Sequence, residues 1–193
     1  MTRIAIIIGS TRPGRNGEAV ARWVQEQAQA RTDAQFDLVD LKDHPLPHLD
    51  EAVPASMGRY SHAHTQEWAA LIAGYDGFIF VTPEYNHGTT GVLKNAIDYL
   101  YAEWNNKAAG FVGYGSAGGV RAVEQLRLIM GELQIADVRQ QVQLTLAHDF
   151  ENSSTFAPEP WHAGLLTVLF DQVVSWSEAL RPVREAAAHP LAA

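Results

Sequence analysis

The chain alternates between short apolar runs and longer stretches where apolar residues recur every three or four positions. Ile4-Ala5-Ile6-Ile7-Ile8 has the length and continuity of a strand buried on both faces, and it stops abruptly at Gly9. Phe36-Asp37-Leu38-Val39-Asp40-Leu41 predicts a second strand, Gly77 to Thr82 a third, and Ala108 to Tyr114 a fourth. Val138 to Leu146 alternates only partially, which suits a fifth strand at a sheet edge. Helical periodicity fills the gaps, near 17–31, 60–74, 89–101, 117–134 and 161–188. Val92, Leu93, Ala96, Ile97, Leu100 and Tyr101 form one apolar stripe, and Ala122, Val123, Leu126, Met130 and Leu133 form another. The last helix carries Leu165, Leu166, Val168, Leu169, Phe170, Val173, Val174 and Trp176, and so has little polar face. Such a helix is either buried or in contact with another subunit. Strands alternating with helices predict an α/β fold: a parallel sheet with helices on both faces, joined by right-handed crossovers.

Composition narrows the function. A chain of 193 residues, 47% of them hydrophobic and 19% charged, suits a single α/β domain over 1–193. No apolar run reaches the ~18 residues of a membrane span, and the N-terminus enters a strand directly, without a secretory leader. The expected setting is cytoplasmic, with no membrane partner, so the sequon Asn152-Ser153-Ser154 reads as a chance match. A net charge of −8 with no dense basic stretch argues against a nucleic-acid partner. The absence of cysteine removes thiol chemistry and Cys-ligated metal, and no metal site is expected. Any redox role must use a bound cofactor.

One segment is irregular. Residues 42–59 contain Pro45, Pro47, Pro54 and Gly58 and predict a long surface loop. His62 and His64 follow; as i and i+2 neighbours on a helix they are expected to point apart.

The chemistry-bearing loops follow the apolar strands. Gly9-Ser10-Thr11-Arg12-Pro13-Gly14-Arg15-Asn16-Gly17 leads from the first strand into the first helix. There, free amides and the positive end of the helix dipole converge on an anion site. Ser10 and Thr11 add hydroxyl donors, and Arg12 and Arg15 add forked guanidinium donors suited to phosphate. The Walker A motif fails because Arg15-Asn16 stands where Lys and Ser or Thr are required. The dinucleotide fingerprint G-x-G-x-x-G is also missing, so a terminal monophosphate fits best. Two more loops stand at the carboxyl ends of strands, where open parallel sheets bind ligands. They are Thr82-Pro83-Glu84-Tyr85-Asn86-His87-Gly88 and Tyr114-Gly115-Ser116-Ala117-Gly118-Gly119. The glycines of the latter permit close approach of main chain to a flat ligand.

Together, Gly9 to Arg15, Pro83-Glu84-Tyr85-Asn86, Gly91-Val92-Leu93-Lys94-Asn95-Ala96-Ile97-Asp98 and Gly115 to Gly119 resemble the NADPH-dependent FMN reductase family over roughly residues 3–150. The resemblance implies a flavodoxin-like three-layer fold with a five-stranded parallel sheet. It implies that Ser10, Arg12, Arg15 and Asn16 hold the FMN phosphate, that Pro83, Glu84, Tyr85 and Asn86 line the isoalloxazine, and that Ser116, Gly118 and Gly119 close over its pyrimidine side. Many relatives carry Ser at the position of Arg15, Asn at that of Gly17, and a small or polar residue at that of His87, whose ring is expected at the entrance. The implied activity is ping-pong hydride transfer from NADPH or NADH, through flavin N5, to a quinone or similar small-molecule electron acceptor. No residue-based catalyst is required, and a homodimer or homotetramer is expected from the apolar last helix. The alternatives are a flavodoxin-type electron carrier and a module that senses a phosphorylated metabolite.

Overall fold

A computed structural model, which describes residues 1–188, contains the expected five-stranded parallel sheet. Its strands are β1 (Thr2–Ile8), β2 (Ala34–Asp40), β3 (Gly77–Pro83), β4 (Ala108–Gly115) and β5 (Ala136–Thr145), in the order β2-β1-β3-β4-β5. This is the flavodoxin-like order, and its connections diverge between β1 and β3. Every residue of β3 and β4 is buried, which explains their unbroken apolar runs. The edge strand β5 alternates instead.

The helices are α1 (Gly17–Ala28), α2 (Ala63–Ala73), α3 (Gly91–Asp98), α4 (Val120–Glu132), α5 (His162–Ala179) and α6 (Arg181–Ala188). One core packs Val20 and Val24 of α1 and Leu166, Leu169, Phe170 and Val173 of α5 against Ile4, Ile6, Ile79 and Val112 of the sheet. The opposite core joins Ile7, Phe78, Phe80 and Phe111 to Trp68, Ile72, Leu93, Ile97 and Leu126 from α2, α3 and α4. Successive strand residues feed opposite layers, as the two-residue side-chain period requires.

Three expectations change. The helix expected over 161–188 divides at Leu180: Pro182 has no amide to donate, and its ring would crowd the carbonyl four residues earlier. The helix expected from residue 60 begins at Ala63 because His62 is extended (φ −96°, ψ 142°). A short antiparallel hairpin, β6 (Phe150–Glu151) with β7 (Thr155–Phe156), fills part of a stretch that carried no strand signal.

A buried cation ties the start of β4 to the end of α2. Lys107, which precedes β4, is only 5% exposed, and its Nζ donates to the carbonyls of Ile72 at 2.9 Å and Ala73 at 3.4 Å. These carbonyls end α2, where the helix dipole favours a positive charge. Burial, and then the neighbouring charge of Arg184, push the ammonium from its ordinary 10.5 down to about 8. Between these values the unfolded chain binds more protons than the folded one, so this group's contribution to stability rises with pH. Relative to a Lys107→Met variant, the wild type should gain about 2 kcal/mol between pH 7.5 and 9.5 in urea unfolding. A flat difference across that range would remove the buried ammonium from the account.

Candidate functional site

The site is assembled where β1, β3 and β4 end. The Gly9 amide donates to the Val81 carbonyl at 2.8 Å, fastening the end of β1 to β3. Thr90 donates its hydroxyl to the Gly9 carbonyl and, as N-cap of α3, accepts from the Leu93 amide at 3.1 Å. The loop then turns at Gly14, whose φ of +68° few side chains tolerate, and the Arg15 amide closes on the Arg12 carbonyl at 3.2 Å.

The two loop arginines part company. Arg15 Nη1 donates to Asp40 Oδ1 at 2.9 Å, its second nitrogen pairs with the other carboxylate oxygen, and Nη1 also reaches the Ser10 carbonyl. Its side chain is 6% exposed. Arg15, expected as a phosphate donor, here braces the β1 loop against the end of β2. Arg12 is exposed, and its guanidinium has no hydrogen-bond or ion-pair partner among the described residues. Ser10 is buried, with Oγ 3.1 Å from Tyr85 Oη, so the first loop is linked to the second. Asn16 precedes α1 and donates its amide to the Ser153 carbonyl at 3.4 Å. A Cβ at Gly17 would lie 2.6 Å from Tyr114 Oη, which explains why no side chain stands there.

The second loop folds back as a two-residue turn. Tyr85 and Gly88 exchange both backbone hydrogen bonds (2.9 and 3.0 Å), and Asn86 and His87 between them have φ of 49° and 65°. The amides of Asn86 and His87 have no acceptor among the described residues, whereas the Glu84 amide is taken by the Tyr114 carbonyl at 3.0 Å. The Glu84 carboxylate, expected beside a ring, turns instead to the start of α4. It accepts from the Arg121 amide at 3.0 Å and pairs with the Arg121 guanidinium. Burial raises its pKa, but Arg121 and the amides outweigh that effect and hold it below the usual carboxylate range. The third loop is packed against β4: a Cβ at Gly119 (φ +72°) would lie 2.6 Å from the Tyr114 amide nitrogen. The amides of Ser116 and Ala117 have no acceptor among the described residues.

A cleft of about 440 Å³ brings together Arg12, Arg15, Asn16, Pro83, Glu84, Tyr85, Gly115 and Ser116 from the expected set. Asn86 and His87 are exposed and stand outside its lining, and Gly118 and Gly119 are buried within the third loop, also outside that lining. Thr11 faces a neighbouring cleft of about 440 Å³, formed by the 42–48 segment and the start of α3. Sequence reasoning missed Leu146, Ser153 and Ser154, which complete the first cleft from beyond β5. The 42–59 loop is pinned rather than loose. Asn95 Nδ2 donates to the Pro47 carbonyl at 2.7 Å, and Glu51 accepts from the Ser61 and His62 amides at 2.9 and 3.1 Å. His62 and His64 do not point apart: their rings stack 5.2 Å apart, and both Nε2 atoms turn to Asp50. The extended backbone at His62 removes the helical spacing on which that expectation rested.

No described helix is long and apolar enough to cross a membrane. Among the described residues no group of acidic or histidine side chains could hold a metal ion. Comparison with known proteins gives a consistent result. A relative from Schizosaccharomyces pombe, named an NAD(P)H-dependent FMN reductase, is 42% identical over 149 residues, covering 76% of this chain and 74% of its own. A 2-hydroxy-1,4-benzoquinone reductase of a Burkholderia species is 30% identical over 76% of this chain and 79% of its own. Among solved structures, a flavoenzyme NAD(P)H:acceptor oxidoreductase from Paracoccus denitrificans superposes with a TM-score of 0.70. It covers 93% of this chain and 98% of its own at 22% identity, which speaks for the fold. The family profile described as NADPH-dependent FMN reductase matches residues 2–149, and the chain belongs to that family.

Proposed function

We propose that this chain holds FMN in the cleft beyond β1, β3 and β4 and uses NADPH or NADH to reduce quinones or similar small acceptors, with donor and acceptor occupying one exposed ring face in turn. The observation that carries the reading is the meeting, in one cleft, of the unpaired Arg12 guanidinium and the glycine-turned β1 loop with the second and third loops. Those loops carry four amides without acceptors among the described residues, Asn86, His87, Ser116 and Ala117, of which Ser116 lines the cleft. A cationic donor at one end and main-chain donors at the other match a phosphate tail and a flat, carbonyl-edged ring. When bound, FMN supplies the hydride-accepting and electron-donating chemistry. Arg12 and the amides around Asn16 would hold its phosphate, Tyr85 would lie beside the ring, and the Ser116 amide would meet its polar edge. Arg15 and Glu84 position these loops without touching the ligand.

The same reading places the protein in the cytoplasm, in keeping with a chain free of cysteine. It also makes the protein a homodimer or homotetramer. Supporting this, Val168 and Trp176 on α5 and Leu128 on α4 remain 42%, 49% and 81% exposed, respectively. A monomeric mass in light scattering would remove the assembly.

The purified chain should release FMN on denaturation, and NADPH or NADH should bleach its bound flavin in stopped flow. Retained flavin that neither nucleotide reduces would turn the reading to an electron carrier. Arg12→Ala should weaken FMN binding by about 1.5–3 kcal/mol through loss of a charged hydrogen bond. Arg15→Ala and Asp40→Ala should each weaken it less, and the double variant no more than either alone, because each change breaks the same brace. Additive losses in fluorescence titration would instead give Arg15 its own contact with the phosphate.

A further inference from the structure

The stretch matched by the family profile ends at residue 149, yet the next residues build one wall of the cleft. The β6–β7 hairpin sets Phe150 opposite Phe156 and Glu151 opposite Thr155. Its stem is apolar and anchored: Phe150 and Phe156 lie 5.2 Å apart, Trp23 meets Phe156 edge-on at 5.5 Å, and Tyr114 flanks Phe150. Its base is tied by one buried carboxylate. Asp149 accepts from the Thr145 amide at 2.6 Å, the Glu159 amide at 3.3 Å and His162 Nε2 at 2.8 Å, so the chain entering and leaving the hairpin is held at one point.

The tip is polar and reaches the β1 loop. Asn152 and Ser153 take left-handed φ of 51° and 57°, and the Ser153 carbonyl accepts from Asn16 Nδ2 at 3.4 Å. The amides of Ser153 and Ser154 are satisfied within the turn, by the Phe150 and Glu151 carbonyls respectively. The Ser153 and Ser154 hydroxyls have no partner among the described residues, and both residues line the cleft that holds Arg12 and Gly14. A phosphate monoester presents three strong acceptor oxygens and nearly two negative charges. With Arg15 engaged by Asp40, the β1 loop offers it one guanidinium. Hydroxyls can add donors without adding charge.

We infer that the hairpin is a phosphate clamp built onto the cleft: the Ser153 and Ser154 hydroxyls complete the donor set begun by Arg12, and they select the 5′-phosphorylated flavin over riboflavin. This rests on the FMN reading given above. Aimed by a stem that has its own core contacts, the two hydroxyls need little ordering when the ligand arrives.

The test compares FMN and riboflavin as probes, by quenching of flavin fluorescence on the chain of residues 1–193. In a Ser153→Ala/Ser154→Ala variant the dissociation constant for FMN should rise about tenfold or more, while that for riboflavin stays unchanged. Both positions are exposed, so the fold should persist, which thermal unfolding of the variant checks directly. Ser154→Asp, which sets a like charge against the phosphate, should weaken FMN by a further large factor and leave riboflavin untouched. Unchanged FMN affinity in both variants, or equal weakening of the two flavins, would overturn the clamp while leaving FMN binding intact. A wild-type chain that held neither flavin would overturn the FMN reading itself, and the clamp with it.

Discussion

The ion pair between Arg15 and Asp40 sets the conditions for everything else at the cleft. A nearly buried guanidinium must be matched, and Asp40 matches it with both carboxylate oxygens, while the Ser10 carbonyl takes a further donor. The loop after β1 is thereby fixed to the last residue of β2, and its glycine turn is held in a defined shape above the N-terminus of α1. Glu84 and Arg121 do the same for the second loop and the start of α4. Two of the charges that a ligand might have met are thus internally neutralised. The one guanidinium without a partner among the described residues that lines the cleft is that of Arg12, alongside Ser116, Ser153, Ser154 and Asn16. In a chain of net charge −8, this keeps the attraction for an anion local to the site.

Much of the fold was legible because it depends on local pattern. The β1, β3 and β4 runs are apolar on both faces, and no other environment accommodates Ile4 to Ile8 or Gly77 to Val81 in a chain of this size. The helix stripes of α3 and α4 were equally plain. The loops were legible as a group, since three glycine- and hydroxyl-bearing turns follow three buried strands. The role of Arg15 was not, because its partner lies 25 residues away and becomes a neighbour only once β1 and β2 pair in parallel, with Ile8 beside Asp40.

Other misreadings have equally specific origins. The stacked rings of His62 and His64 depend on one extended residue at the helix start, which a periodicity argument cannot place. The break before Arg181 was announced by Pro182, but the surrounding apolar pattern favoured a continuous helix. The β6–β7 hairpin turns without glycine, through left-handed Asn152 and Ser153, and so lacked the usual signal. Ser153 and Ser154 stayed invisible for that reason, although both line the cleft.

The boundary at residue 149 has a further meaning for the sheet. Leu166, Leu169, Phe170 and Val173, all on α5, cover Ile4, Ile79 and Val112, and among the described residues α1 is the other helix of that core. The profile-matched stretch therefore does not coincide with a self-sufficient folding unit: a polypeptide trimmed to the recognised portion would bare an oily half of its central strands and clump rather than stand alone.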